Sequence, residues 1–217
     1  MITSYKELPV GLWLDIRKIQ EETPDPVDAR VAIVAVLTGK TEREILNAPL
    51  SESSEWFARA EFLETPDQDI PSRIAASYKA GPFDLVPTTD LRKITTAQYI
   101  DFQNFAPEGE RKLVELLSVF LIPKGLEYNE GYDIAEVQQA IREDLSVLDT
   151  LALSAFFLNK YAALIRRSRS SLARLEKKEK NPAMKEAIRR RLEKLKTLTE
   201  LLTDSPTSGA GSPTSTR

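Results

Sequence analysis

Residues Asp25–Gly39 read DPVDARVAIVAVLTG, and the rest of the chain is arranged around them. Aspartate followed by proline is a helix start, because the side chain caps and the proline ring presets φ for the first helical position. From Val27 to Thr38 the only polar residues are Asp28, Arg30 and Thr38. Such a helix has almost no face to give to water, so it is predicted to be the central buried element. Its β-branched residues also permit a strand. The cap, the length and the following Gly39, suited to a left-handed C-terminal position, favour helix.

On the N-terminal side, Ser4 and Glu7 have capping-box spacing, and Leu8, Leu12, Ile16 and Ile19 follow on one helical face. Pro9 falls in that helix's first turn, where proline is tolerated. On the C-terminal side, Thr41 and Glu44 form a second capping box over a short helix ending near Asn47, with Pro49 as breaker. Ser51–Ser54 starts a further helix carrying Trp56, Ala60 and Leu63. Thr65-Pro66 closes this first unit, residues 1–66, read as about four helices.

Residues 67–159 differ in texture. Ile74, Ala76 and Tyr78 alternate, Ala80-Gly81-Pro82 reads as a turn, and Phe83 and Leu85 alternate again. This is a β-hairpin pattern, with Asp90–Ile94 as a candidate third strand. Thr95 and Gln98 cap a helix containing Tyr99, Phe102 and Phe105. Glu110–Leu121 reads as a helix ended by Pro123. Asp133 caps a helix through Glu143, and Ser146 caps a long one.

That long pattern runs to about Lys180. Asn181-Pro182 restarts a helix that continues to Leu202, so residues 160–204 are predicted to form an antiparallel helical hairpin. Its stripes, from Tyr161 to Leu175 and from Met184 to Leu202, are thinly apolar. The arm therefore calls for a partner or for self-association into a homo-oligomer. Residues 205–217 (SPTSGAGSPTSTR) have the composition of a disordered tail. The fold class expected is mainly α with a small β-hairpin: a helical body, a C-terminal αα-hairpin and a tail.

The net charge of -3 hides an asymmetry. Residues 1–159 carry a net -12 and residues 160–204 a net +8. A basic arm can bind nucleic acid, dock on an acidic partner or on its own body, or be a solvated helical face. Arg166-Arg167-Ser168-Arg169 and Arg189-Arg190-Arg191 are the candidate phosphate contacts. Base stacking is not expected, because aromatic residues end at Tyr161.

Cysteine and histidine are both absent from the 217 residues. A Ser-His-Asp triad, a Cys-His pair and a histidine zinc site are thereby excluded within the chain, and an enzyme is not expected. No cofactor or metal is expected either. The run VAIVAVLTGKT (Val31–Thr41) has the end of a P-loop, but Val34 stands where the first glycine is needed. The loop KGLEYNEGYD (Lys124–Asp133) has oxygen donors, but Leu126, Tyr128 and a misplaced Gly131 spoil the calcium-loop spacing. An ordered loop with its tyrosines packed on the body is expected instead. The N-terminus lacks a signal-peptide pattern, and the apolar runs fall short of the ~20 residues of a membrane span. A cytoplasmic protein without a membrane role is expected.

The segments LTGKTEREILNAPL (Leu37–Leu50), ITTAQYIDFQNF (Ile94–Phe105), LLSVFLIPKGLEYNEGYD (Leu116–Asp133) and SVLDTLALSAFFL (Ser146–Leu158) resemble small morphogenesis proteins of tailed bacteriophages and prophages of Bacteroides-type hosts. The pattern is similar to that of tail assembly chaperones over about residues 1–160. The resemblance implies a helical cytoplasmic protein that coats the tape measure protein until tail tube subunits polymerise around it. It supplies no catalytic residues. Alternatives are a structural virion component of the baseplate, neck or tail completion kind, and a nucleic-acid-binding accessory protein using the basic helices. Aromatic and aliphatic side chains on amphipathic faces are the candidate partner contacts: Trp13, Trp56 and Phe57 in the body, and Ile188, Leu192 and Leu195 on the arm.

Overall fold

The structure is a computed structural model that describes residues 1–65 and 70–203, without the side chains of residues 164, 165, 191, 194, 195 and 197–203. The expected disordered tail, residues 205–217, lies outside the described residues. The chain divides into two compact units, a body of Met1–Ser154 and an arm of Ala155–Arg217. It is mainly helical with a small three-stranded antiparallel sheet.

The body opens with helix α1, Val10–Glu22. The capping box expected at Ser4 and Glu7 does not form. Glu7 instead accepts from the backbone and hydroxyl of Thr3, and the helix begins after Pro9 with no side-chain cap. A distant segment takes precedence over the local signal. The Val10 N–H donates to the Leu145 carbonyl at 2.8 Å and the Val147 N–H to the Leu8 carbonyl at 2.9 Å, so residues 8–10 lie extended beside 145–147.

Helix α2, Pro26–Thr38, forms as its sequence requires. The Asp25 carboxylate accepts from the N–H groups of Val27 (2.8 Å) and Asp28 (3.1 Å), and Gly39 ends it at φ +70°. It buries Ala29, Val31, Ile33, Val34, Ala35 and Leu37 at the centre of a core shared with Leu8, Ile16, Ile45, Ala60 and Val147. Helix α3, Glu42–Asn47, carries the full Thr41–Glu44 capping box. Helix α4, Leu50–Ala60, begins directly after Pro49 and not at the serines, and ends in a 3-10 turn, Glu61–Glu64.

Strands β1 (Tyr78–Ala80) and β2 (Phe83–Pro87) form the expected hairpin, turning at Gly81 (φ +53°). The third strand is not Asp90–Ile94. There the Asp90 carboxylate folds back on the Arg92 N–H and guanidinium and closes a local turn. Helix α5, Thr96–Phe105, has the Thr95–Gln98 box. The helix expected over Glu110–Leu121 is reduced to α6, Leu113–Ser118, after a 3-10 stretch Ala106–Lys112 kinked at Gly109 (φ +58°). Strand β3, Leu121–Pro123, follows and pairs antiparallel with β2, Leu85 opposite Pro123 and Pro87 opposite Leu121. A short run that is apolar on every side does not distinguish buried helix from buried strand, and the open edge of β2 decides the matter.

Helix α7, Ile134–Asp144, packs on α1, α6 and β1, and so ties the N-terminal helices to the sheet. Helix α8, Val147–Lys178, starts at Ser146, whose hydroxyl accepts from the Asp149 N–H. By length and composition it is, among the described residues, the one helix that could cross a bilayer, with an 18-residue window of mean hydropathy 1.3, of which 38% is buried. This exceeds the sequence expectation because the helix carries no charged residue between Asp149 and Lys160. Its first turns supply Val147 and Leu151 to the body core.

In the arm, helix α9, Pro182–Thr203, is capped by Asn181, whose side-chain oxygen accepts from the Ala183 N–H at 2.9 Å. Arg189 of α9 reaches Glu176 of α8 at 2.7 Å. That pair spans the turn as an antiparallel hairpin requires.

Candidate partner-binding surface

Trp13 of α1 and Trp56 and Phe57 of α4 are each partly buried and pack against the same body core. None is fully enclosed. Two of the rings carry a cation on their faces: Lys40 Nζ stands 5.0 Å from the centre of Trp56, and the Arg30 guanidinium 5.8 Å from that of Phe57. Arg30 is held in turn by Glu61 (3.9 Å) and Glu64 (3.5 Å). Trp56 and Phe57 are thus part core and part surface, with charged groups beside them.

Sequence reasoning overlooked two leucines in this region. Leu46 is 69% exposed and Leu50 81% exposed, the largest exposures among the big apolar side chains of the body. Leu50 and Phe57, seven residues apart, share a face of α4. The spacing was available, but burial cannot be read from spacing alone.

The arm candidates fall into two groups. Ile188 and Leu192 of α9 are half-buried, whereas the side chain of Leu195 lies outside the description. Arg166 and Arg167 of α8 are exposed and make no ion pair among the described residues. Arg189 and Arg190 are paired, the first with Glu176 at 2.7 Å and the second with Glu186 at 3.4 Å. Glu176 raises the Arg189 pKa further above its ordinary value by hydrogen bond and charge. The side chain of Arg191 is outside the description.

Elsewhere the perturbed groups serve the fold. Tyr128 is buried and its hydroxyl donates to Asp101 at 2.7 Å, while Tyr132 is half-buried and accepts from the Asn129 N–H. Burial pushes both phenols up, most strongly Tyr128. Hydrogen bonds from Arg92 hold Asp90 down at about 2. Among the described residues no group of three or more acidic side chains is placed to hold a metal ion. No protein-family model, curated protein or solved structure matches this chain.

Proposed function

We propose that this chain is a non-enzymatic binding protein of the phage tail assembly chaperone kind, which holds a long helical tape measure protein in the bacterial host cytoplasm during tail morphogenesis. The resemblance of about residues 1–160 to such chaperones supports this reading. One observation carries it: Leu50, 81% exposed, continues the α4 face of Phe57, beside which Trp56 is half open. A rigid apolar face with aromatic anchors and a charged rim suits an amphipathic helix laid across it. Binding there would hide the partner's apolar stripe until tube subunits displace the chaperone.

The test is an affinity pull-down from infected or induced cells, with mass spectrometry of the eluate and of purified particles. The expected result is a long helical tape measure protein in the eluate and this chain missing from particles. Leu50→Asp should cut that capture about tenfold or more, as loss of a central apolar contact does. Fixed copy number in particles would overturn the reading in favour of a structural virion component.

A further inference from the structure

We propose that one face of α8, formed by Arg166, Arg167, Ser170, Ser171 and Arg174 with Arg169 at its edge, binds the phosphate backbone of duplex nucleic acid. The first five side chains line a single groove of about 370 Å³. Positions 166, 170 and 174 repeat every four residues, with 167 and 171 beside them, so they share one helix face. At 1.5 Å per residue the face extends about 12 Å, the length of three to four base pairs.

Among the described residues Arg166, Arg167, Arg169 and Arg174 make no ion pair, and their own helix supplies no carboxylate one turn away. Between Asp149 and Glu176 the chain has no acidic residue, so no i±3 or i±4 carboxylate is available to Arg166, Arg167 or Arg169. Arg174 has lysines at 177 and 178 and a serine at 170 on the same face. Arg189 and Arg190, by contrast, are occupied by Glu176 and Glu186. Among the described residues the arm's arginines thus divide into a paired set and an open set.

The lining chemistry selects the ligand. The groove contains guanidinium and hydroxyl donors and no apolar side chain. A protein partner would need an apolar centre to its contact, and stable attachment to a membrane would need an apolar anchor beside the basic cluster. Phosphate oxygens need only the donors present. A second groove of about 540 Å³ between α8 and α9 contains Arg166, Arg169, Ser170 and Lys196, with Ala173, Leu192 and Glu193 also in its wall, so the apolar-free lining belongs to the first groove alone. Contact is expected to ignore sequence, because donors engaged on phosphate oxygens position the duplex and carry no base information.

The experiment is fluorescence anisotropy of a labelled 30-base-pair duplex of arbitrary sequence, titrated with the full chain at 50 to 200 mM salt. Four phosphate contacts predict an affinity loss of about 150-fold across that range. The variant R166Q/R167Q/R169Q/R174Q should abolish binding, while R189Q/R190Q should bind within about threefold of the unmodified chain. Far-UV circular dichroism of both variants checks that the helices persist. The salt dependence of the unmodified chain tests the proposal without any variant. Absence of binding at 50 mM salt would overturn it. So would equal losses in the two variants, or uptake by vesicles containing phosphatidylserine with none by duplex. These residues are distinct from the α4 face, so either proposal can fail while the other stands.

Discussion

At the scale of single residues, Gly11 is fixed by contact and not by backbone angle. A Cβ there would lie 2.3 Å from Arg142 Cγ and 2.6 Å from the Arg142 carbonyl oxygen. Alanine improves helix propensity by up to ~1 kcal/mol. Forcing α1 away from the α7 backbone costs about 1–3 kcal/mol, and the carbonyl cannot swing aside as a side chain could. Gly11→Ala should therefore lower stability by about 1–2 kcal/mol in urea denaturation of the full chain. Tyr128 offers a second test. Its folded pKa lies above the ordinary 10 because burial and Asp101 disfavour the phenolate. The resulting stability is present below pH 10 and is lost as pH rises beyond it, toward the folded value. Tyr128→Phe should cost about 1 kcal/mol at pH 7 and lessen the fall in stability between pH 10 and 11, measured by the same titration.

At the scale of elements, local signals succeeded where no distant segment competes for the same backbone. The Asp25, Thr41, Thr95 and Asp133 caps form as the sequence reading expects, because each satisfies its own helix end. They do not reveal what else a capping residue does. Gln98 is 2% exposed, accepts from the Thr95 N–H at 2.9 Å and donates to the Val119 carbonyl at 2.8 Å. Gln98→Leu keeps the volume but leaves a buried carbonyl unpaired and opens the box. A loss of about 2–4 kcal/mol is expected, read as a lower denaturation midpoint. Ser4 and Glu7 show the opposite case, a correct local pattern displaced by pairing with residues 145–147. Strand β3 was misread as the end of a helix for a related reason: its hydrogen-bond partner lies more than thirty residues earlier.

At the scale of the molecule, the division between core and surface separates leucines that composition treats alike. Leu121 is fully buried in β3 and Leu50 is 81% exposed. Leu121→Ala should cost about 2–5 kcal/mol, since it leaves a cavity. Leu50→Ala should change stability by no more than about 0.5 kcal/mol. Thermal and urea denaturation of both variants would check the contrast. It is also what makes Leu50→Asp a test of binding and not of folding. Of the candidate contacts, Trp13, Trp56 and Phe57 were legible because aromatics at helical spacing stand out. Their shared location on one core was not, since it depends on how α1 and α4 meet α2.

The amino-acid sequence alone determined the helical character of the chain, the buried status of α2, most helix starts and the contrast between an acidic body and a basic arm. All of these depend on residues within a few positions of one another or on a count. Tertiary structure decided the extended entry of α1, the close approach that requires Gly11, the third strand, the burial of Gln98 and the Arg189–Glu176 pair across the turn of the arm. Those features depend on groups that the chain brings together from far apart, and the free energy of such a contact is not encoded in either segment by itself.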